Sequence, residues 1–359
     1  MTMLAFELPG ALEASEPPEA RGLQRDEVRL MVTRRSSDAI VHTRFCRLPD
    51  YLEPGDLIVI NNSATLPAAL PALRVDGTTI EVRFATRAPN RTEGTARTEA
   101  ADSQQQPQRF VVELRSSGGA SPLADGRTGE EIQLPARATT RLLAPYVGRG
   151  RLWLAGTEGI DDLPRYLNDH GHPIRYGYVR RPWPLSAYQT VYATAPGSAE
   201  MPSAGRPFTA NLLTRLSAMG VLIAPVTLHA GVSSPEAPEP PYPEEYTVPA
   251  PTARLVNQVR AAGRNVLAIG TTVVRALESA ASPDGTVKSR HGWTNLVISN
   301  DHPVRVVDGL LTGWHEPRAS HLQMLEVIGG QRLLKRSYQS ALARGYLWHE
   351  FGDSHLILP

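Results

Sequence analysis

Uniformly apolar runs followed by helical spacing mark the second half of the chain as an α/β region. Residues Val266–Ile269 are all apolar, as in a parallel strand that is covered on both faces. Beyond a Gly-Thr-Thr turn, Val273, Val274 and Leu277 recur at the spacing of a helix. Such a junction presents free backbone N–H groups, so it is a candidate anion or nucleotide site. The turn consists of Gly270, Thr271 and Thr272, and either threonine could cap the helix.

The same alternation extends from about residue 188 to the end of the chain. Thr209 and Thr252 are candidate helix N-caps, and Gly220 and Gly263 can end those two helices. Their inward faces are predicted to carry Leu212, Leu213, Leu216 and Met219 in the first helix and Leu255, Val256 and Val259 in the second. Further strands are predicted at 221–229, 296–299 and 304–307, and helices at about 319–328 and 333–344. This alternation predicts a mainly parallel sheet with helices on both faces.

Residues 74–155 follow a different pattern, that of short and often alternating strands. They follow a buried strand at 57–60 and predict a small antiparallel sheet or barrel. Two polar segments within this region, 88–108 and 115–131, are expected to be mobile hairpin tips. We therefore predict an α/β catalytic domain made of 1–65 and 185–359, with a smaller β-rich, barrel-like domain inserted at 66–184.

Spacing alone leaves a purely structural interpretation of the Gly-Thr-Thr junction open, because strand-glycine-helix turns are common in α/β proteins. Neither a G-x-G-x-x-G nor a G-x-x-x-x-G-K-[ST] pattern is present, so a dinucleotide fingerprint and a P-loop are both unsupported. Ligands of α/β sheets usually lie at the carboxyl ends of the strands, and this rule places residues 228–231 beside 270–272.

Charge and composition limit the classes of protein to which the chain can belong. The net charge of +1 does not indicate a nucleic-acid binder, although Lys288 and Lys335 are the only lysines among 37 lysines and arginines. Arginine suits phosphate contacts, but we favour codon bias as the explanation of its excess. A single cysteine, Cys46, excludes a disulfide framework or a Cys-rich metal site. We find no signal peptide or long apolar segment and expect a cytoplasmic protein without a membrane span.

Eight short signatures then occur in order across nearly the whole chain. They are FELP at 6–9, LEPGDLIVIN at 52–61, YQTVYA at 188–193, PSAG with Phe208-Thr209 at 202–209, TLHAG at 227–231, AIGTTVVRALES at 268–279, VVDGLLTGWHEPRASHLQML at 306–325 and FGDSHLIL at 351–358. Together they make the chain resemble the S-adenosylmethionine:tRNA ribosyltransferase-isomerases of queuosine biosynthesis.

The resemblance implies a pentosyl-transfer enzyme with a defined reaction. Such enzymes move the ribosyl portion of S-adenosylmethionine onto the aminomethyl arm of a 7-deazaguanine at the tRNA wobble position. Adenine and methionine leave, and the base becomes epoxyqueuosine. The family fold is an α/β catalytic domain with a smaller β-rich insertion. The resemblance further implies that S-adenosylmethionine is the co-substrate and tRNA the acceptor. We also expect a monomer, and the chemistry requires neither a metal nor a prosthetic group.

Three residues are candidates for the catalytic chemistry, which requires removal of a proton next to the sulfonium and stabilisation of the departing adenine. His229, at a strand end, is the first choice for a base or orienting group, and the alternative is a hydrogen-bonded structural histidine. His315 could contact the acceptor or the ribose, or could only cap its loop. Asp353 could bind ribose hydroxyls or pair with Arg275, or could be a plain turn aspartate.

The candidate binding residues fall into two groups. Thr271, Thr272 and their N–H groups, after Gly270, suit the carboxylate of the methionine moiety. Arg275 and Glu278 lie three apart on one helix face and could simply pair with each other. Acceptor-base contacts are assigned to Tyr188, Gln189 and Thr190 as a polar wall and to Phe208 as a stacking ring or, alternatively, an ordinary core residue. His170 and His172 lack further ligands at recognisable spacing, so no metal site is predicted.

The chain departs from the family pattern on the acceptor side. Residues 61–69 lack the two arginines usual there, Pro207 stands where the family has histidine, and residues 231–237 and the proline-rich 242–246 replace the usual loop. Arg206 could restore one positive charge. These changes leave two alternatives to the tRNA-modifying activity. One is a related S-adenosylmethionine-dependent transferase with another amine acceptor, and the other is a noncatalytic nucleoside- or RNA-binding relative.

Overall fold

The computed structural model describes residues 4, 6–89, 108–146, 150–232, 242–317 and 319–359. The strands that precede the first α-helix are β1 (Arg29–Arg34), β2 (Ala39–Arg44), β3 (Leu57–Asn61), β4 (Ser63–Thr65), β5 (Ala69–Arg74), β6 (Thr79–Arg87), β7 (Arg109–Ser116), β8 (Glu131–Gln133), β9 (Thr139–Tyr146) and β10 (Leu152–Glu158). Those that follow it are β11 (Ala195–Ser198), β12 (Leu222–Leu228), β13 (Glu244–Val248), β14 (Val266–Ile269), β15 (Arg290–Thr294), β16 (Gly309–Gly313) and β17 (Ser354–Leu358). The α-helices are α1 (Leu163–His170), α2 (Ala210–Ala218), α3 (Ala250–Ala261), α4 (Thr271–Ala280), α5 (His321–Gly329) and α6 (Gln331–Ala343).

A nine-stranded mixed sheet forms the larger part of the molecule, in the order β15-β13-β12-β3-β14-β16-β17-β1-β2. The central strands β12, β3, β14 and β16 run parallel, whereas β13 and β17 join them antiparallel. Strand β1 is parallel to β17. The predicted α/β class is confirmed, and its parallel part is the centre of the sheet.

Both faces of this sheet are covered by helices, as the unbroken apolar runs require. In β3, Leu57 and Val59 face a core shared with α3 and α4, while Ile58 and Ile60 face a second core with Leu212 and Leu216 of α2. Strands β3 and β14 are buried along their whole lengths. A parallel centre covered on both sides leaves the strand ends as the place where a cleft can open.

Strands β5 to β10 close into a separate antiparallel barrel in the order β10-β7-β6-β5-β8-β9. This confirms the predicted barrel-like unit, and its strands lie within the proposed insertion at 66–184, whose exact boundaries stay a prediction. Segment 115–131 is anchored, because Leu123 N donates to Leu114 O and Arg115 Nε donates to Gly119 O. Its prediction as a mobile tip is therefore wrong. Most of the other predicted tip, 90–107, lies outside the described residues.

Of the three predicted helix N-caps, one is confirmed and two are wrong. Thr209 caps α2, because its hydroxyl accepts from Leu212 N. Thr252 does not cap α3, which begins after Pro249, and its hydroxyl donates to Pro225 O instead. Neither Thr271 nor Thr272 caps α4, because Gly270 occupies the N-cap position and both threonines are already helical.

Two predicted strands, 296–299 and 304–307, are not strands in the structure. Side chains of α4 bind their backbone groups and so compete with sheet pairing. Arg275 donates to Leu296 O, and the Glu278 carboxylate accepts from the N–H groups of residues 305–307. The sheet uses β15 and β16 instead. No helix in the described ranges is long and apolar enough to cross a membrane.

Candidate active site

A cleft of 380 Å³ opens at the carboxyl edge of the central strands, next to the start of α4. Its volume lies in the range of small-molecule sites, roughly 300–1,000 Å³. Its wall combines the sheet edge with residues 173–178, which follow the barrel, and with the turn that precedes β17. The titratable residues of this wall are Tyr176, Tyr178, Tyr188, Glu200, Tyr242, Glu244, Arg275, His315, Glu316, His321, His349 and Glu350.

The Gly-Thr-Thr junction forms one end of this cleft, as the sequence predicts. Gly270 adopts φ 95° and ψ 155°, a conformation that needs glycine, and its N–H donates to Leu311 O. Thr271 and Thr272 line the cleft. Within the described part of the chain, no acceptor is bound to the N–H groups of these two threonines. This end therefore offers two backbone donors and a helix N-terminus to a negatively charged group.

Asn61 fixes this end to the neighbouring strands. Its side-chain amide donates to Leu228 O at 2.8 Å and to the Thr272 hydroxyl at 3.2 Å. Its carbonyl oxygen accepts from Leu228 N at 3.0 Å and from Ser63 N at 3.1 Å. Residue 61 thus joins the ends of β3 and β12 to the first turn of α4, and the predicted proximity of 228–231 to 270–272 is confirmed.

Arg275 and Glu278 do not pair with each other. The Arg275 guanidinium forms an ion pair with Glu244 and donates to the carbonyl oxygens of Thr294 and Leu296. Glu278 is engaged by the backbone, and burial raises its pKa although those N–H donors oppose the shift. Arg275 lines the cleft, but its charge is paired with Glu244. Glu278 does not line the cleft and instead binds the backbone of residues 305–307.

His315 lies on the cleft wall beside a second histidine, His321. The two rings stack with centroids 4.8 Å apart, and the Nε2 of His315 is 2.8 Å from the Thr312 hydroxyl. Burial holds the pKa of His315 well below its usual range and lowers the pKa of His321 to about 4. Both imidazoles are therefore neutral near pH 7 and have lone pairs that can accept a hydrogen bond or a proton.

Asp353 organises the turn before β17 and does not line the cleft. Its carboxylate accepts from Leu347 N at 2.8 Å and forms an ion pair with Arg29 at 2.8 Å. The alternative pairing with Arg275 is wrong. A ribose contact stays a prediction, and in this structure Asp353 is only 4% exposed and its oxygens accept hydrogen bonds from Arg29 and Leu347. Its position supports the turn aspartate interpretation.

The same turn presents His349 and Glu350 to the cleft. His349 adopts a positive φ of 72°, which a non-glycine residue seldom does, and Gly352 has no room for a Cβ beside Leu347 O. The His349 ring lies between carboxylates, 3.4 Å from Glu13 and 3.6 Å from Glu316. Such a constrained backbone beside a cleft is typical of functional positions.

Two phenol–carboxylate pairs line the cleft beside the turn that precedes β17. Tyr178 donates to Glu350 at 2.6 Å, and Tyr176 donates to Glu200. The two phenol rings stack at 5.9 Å, and Tyr178 also stacks on His349 at 3.9 Å. Burial, reinforced by the Glu200 charge, raises the pKa of Glu350 to about 7, although the Tyr178 donor opposes the shift.

The structure does not place His229 on this wall. Its Nδ1 lies 2.8 Å from the Ser63 hydroxyl, and the ring fills the space that a Cβ on Gly197 would need. The following residues, Ala230 and Gly231, line the cleft instead. Burial lowers the pKa of His229, with Glu245 acting in the opposite direction. These contacts match the structural alternative, and a catalytic role for His229 stays a prediction.

The predicted acceptor-base residues are separated by the structure. Tyr188 lines the cleft, but both polar atoms of the Gln189 amide bind the backbone of Thr65. Thr190 is buried and is not among the lining residues. Phe208 is fully buried, with its ring edge-on to Phe45 at 5.1 Å. The predicted stacking role of Phe208 is therefore wrong and its core interpretation is confirmed.

The structure describes some of the residues that depart from the usual pattern on the acceptor side. Arg206 does not restore a free positive charge, because it is 2% exposed and pairs with Glu19 at 2.9 Å. Tyr242, in the proline-rich segment, packs against Gly231 so closely that a Cβ there would overlap the phenol oxygen. Residues 233–237 lie outside the described residues.

His170 and His172 have separate partners. The His170 ring packs on Tyr166 at 4.8 Å, and His172 Nε2 is 3.2 Å from Glu81. In the ranges that the structure describes, no group of three or more His, Cys, Asp or Glu residues is arranged to hold a metal ion.

The residues that sequence reasoning missed come from distant segments. Asn61 and His321 lie inside quoted signatures, but neither position carries a spacing that distinguishes it from its neighbours. Tyr176, Tyr178, Glu200 and Glu350 lie in three separate stretches. Only the folded chain brings them together, since the segment after the barrel and the turn before β17 line the same cleft.

Comparisons with known proteins agree over the whole chain. The family model described as queuosine biosynthesis protein matches residues 1–357. A protein of Symbiobacterium thermophilum named S-adenosylmethionine:tRNA ribosyltransferase-isomerase is 35% identical, over 98% of both chains. A Thermus thermophilus protein of the same name is 34% identical, over 95% of this chain and 97% of its own. The crystal structure of S-adenosylmethionine tRNA ribosyltransferase from Thermotoga maritima superposes with TM-score 0.53 and 28% identity, covering 99% of each chain.

Proposed function

Because the chain belongs to the queuosine biosynthesis protein family, we propose that it is an S-adenosylmethionine:tRNA ribosyltransferase-isomerase. It transfers the ribosyl moiety of S-adenosylmethionine to the aminomethyl-7-deazaguanine wobble base of tRNA and isomerises it to give epoxyqueuosine. Adenine and methionine are released. The observation that carries this proposal is the cleft, which pairs a helix N-terminus with a wall of carboxylates in a chain that matches the family from end to end.

The N-terminal end of α4 holds the carboxylate of the methionine moiety in this proposal. Thr271 and Thr272 line the cleft and begin α4. A helix N-terminus favours an anion by roughly 0.3–1 kcal/mol at an exposed site. The Asn61 amide supports this position by holding the Thr272 hydroxyl. The sulfonium then lies in a cleft that carries several carboxylates, and opposite charges within about 4–6 Å attract each other.

The neutral His315 imidazole suits the proton transfer next to the sulfonium. Its Thr312 partner fixes the ring, and its depressed pKa keeps the imidazole unprotonated at neutral pH while making it a weaker base than a free histidine. His321 stacks on the same ring and can hydrogen-bond the departing adenine or the ribose. We also propose that the protein acts in the cytoplasm as a monomer and uses S-adenosylmethionine without a prosthetic group.

The test incubates the pure protein with labelled S-adenosylmethionine and with tRNA that carries or lacks the aminomethyl-7-deazaguanine. We expect adenine and methionine release only with the modified tRNA. Release with a different amine acceptor would instead identify a related transferase. Saturable binding of S-adenosylmethionine without any turnover would identify a noncatalytic binding protein, and either result would overturn the proposal.

A further inference from the structure

Glu350 is a cleft carboxylate to which the proposed function gives no individual task. It lines the cleft, half-buried, and receives the Tyr178 phenol hydrogen bond at 2.6 Å. Within the described part of the chain, no lysine, arginine or histidine nitrogen is within ion-pair distance of its carboxylate. Removing a carboxylate from water is costly unless a cation or hydrogen-bond donors compensate. The site therefore has the chemistry to accept a positively charged group from a ligand.

The surrounding rings favour an organic ammonium ion. Tyr178 stacks on His349 at 3.9 Å and on Tyr176 at 5.9 Å, which forms an aromatic surface beside the carboxylate. Burial raises the pKa of Tyr178 well above its usual range, so the phenol stays protonated and keeps donating to Glu350. Aromatic faces attract cations, and the effect strengthens where water is excluded.

The position of Glu350 indicates which ammonium ion it meets. Strand β16 lies between β14, which leads into α4, and β17, which follows the Glu350 turn. Two strand spacings separate these ends, or about 10 Å. The α-ammonium of S-adenosylmethionine is attached to the same carbon as its carboxylate. With that carboxylate at α4, the α-ammonium stays at the α4 end, whereas the aminomethyl group of an acceptor base can reach Glu350.

We propose that the Glu350 carboxylate, held by the Tyr178 phenol, binds the primary ammonium of the acceptor base and removes one of its protons. This inference rests on the proposed function. The N–H bond breaks, the proton moves to a Glu350 oxygen to form an O–H bond, and the nitrogen keeps the electron pair. The neutral amine that results is the nucleophile of the ribosyl transfer, in which adenine and methionine leave. Glu350 later returns the proton to solvent.

The electrostatics support such a transfer. A primary ammonium has a pKa of about 10, far above that of an ordinary carboxyl group. Burial raises the pKa of Glu350 from 4.5 to about 7, which narrows this gap. The charged or titratable groups that face it are Tyr178, Tyr188, Glu200, Arg206 and His349. Glu200 and burial raise the pKa, whereas Tyr178 and Arg206 lower it.

Kinetics of Glu350→Gln test the base role. At about pH 7 we expect kcat/KM for the modified tRNA to fall about 100-fold, the lower range of a general base, with KM for S-adenosylmethionine within about twofold of wild type. Wild-type kcat/KM should rise through an inflection near pH 7, whereas the variant should lack it and regain activity towards about pH 10, where the amine loses its proton in water. Glu131→Gln, an exposed barrel change, is the matched control and should leave the profile unaltered.

A binding arm keeps this test separate from the proposed function. Calorimetry compares free 7-aminomethyl-7-deazaguanine with 7-methyl-7-deazaguanine, which lacks the amine. Wild type should prefer the aminomethyl base at least about tenfold, and Glu350→Gln should lose that preference. No preference in wild type, a wild-type pH profile in the variant, or a rise confined to KM for S-adenosylmethionine would each overturn the inference. If wild type prefers the aminomethyl base but does not turn over modified tRNA, the proposed function and the base role are overturned and the ammonium-binding site at Glu350 is retained.

Discussion

The two ends of the cleft are built from different kinds of structure. At the α4 end, the proposed ligand-binding groups are the backbone N–H groups of the consecutive residues Thr271 and Thr272, which line the cleft. At the opposite end, they are the side chains of Tyr178 and Glu350, which are 172 positions apart in the chain. The first end is a local property of one strand-to-helix junction. The second exists only where the segment that follows the barrel meets the turn before β17, so the two ends should respond differently to mutation.

The largest effect should come from Arg275→Met, which removes the support of the α4 end. Arg275 is buried, and its loss leaves the Glu244 carboxylate without its ion-pair partner. Breaking a buried pair in this way costs about 3–5 kcal/mol. Chemical denaturation should show a loss of that size in the free energy of unfolding. Arg254→Met, an exposed change on α3, should stay within about 0.5 kcal/mol, and equal losses in both variants would contradict the structural role.

The opposite end should be broken by Gly352→Ala. A Cβ at this position would overlap the carbonyl oxygens of Leu347 and Trp348, so the turn that carries Glu350 must shift. Overpacking of this kind costs roughly 1–3 kcal/mol. We expect the free energy of unfolding to fall by this amount. We also expect kcat/KM for tRNA to fall by a larger factor than the factor by which KM for S-adenosylmethionine changes. The control is Gly292→Ala, because a Cβ at that position meets open space. An equal loss of stability and activity in this control would show that the shift of the Glu350 turn is not the cause.

At the opposite end, the free energy of unfolding of wild type relative to Glu350→Gln should depend on pH. Because the folded pKa of about 7 lies above the unfolded value of 4.5, the folded protein holds the proton more tightly. The stabilisation is complete below the unfolded pKa and is lost as pH rises through about 7. Between about pH 5 and about pH 8, wild type should lose about 2 kcal/mol relative to the variant, with allowance for screening of a half-buried group.

This pH comparison uses paired denaturation curves, so the titrations that both proteins share cancel. The groups facing Glu350 are Tyr178, Tyr188, Glu200, Arg206 and His349. A stability difference between the two proteins that stays constant across this range would show that Glu350 does not take up a proton on folding.

The contrast between the two ends also explains what the sequence could predict. The α4 junction could be predicted because apolar periodicity, a glycine and a helix start occupy consecutive positions, as does the Thr209 cap. Alternating short strands likewise predicted the barrel. Thr252 and the segments 296–299 and 304–307 were mispredicted because tertiary contacts, to Pro225 O and to the Arg275 and Glu278 side chains, determine their structure.

The carboxylate end could not be predicted for the same reason. Nothing in the sequence around Glu350 distinguishes it from a surface glutamate, and its neighbours Tyr176 and Tyr178 lie beyond the barrel. Conversely, Asp353 and Phe208 lie in recognisable signatures yet serve the turn and the core. A signature therefore located the region of the site more reliably than the roles of individual side chains.

The most direct test of the account is the affinity of S-adenosylmethionine alone for three variants. Thr272→Asp places a negative charge in the first turn of α4, which favours the helix but repels a bound carboxylate, and Thr272→Asn is its neutral match. By titration calorimetry, the aspartate variant should lose at least about tenfold in affinity, roughly 1.4 kcal/mol. Thr272→Asn and Glu350→Gln should stay within about threefold of wild type. Equal losses in Thr272→Asp and Thr272→Asn, or a loss in Glu350→Gln as large as in Thr272→Asp, would contradict the assignment of the two ends to two different substrates.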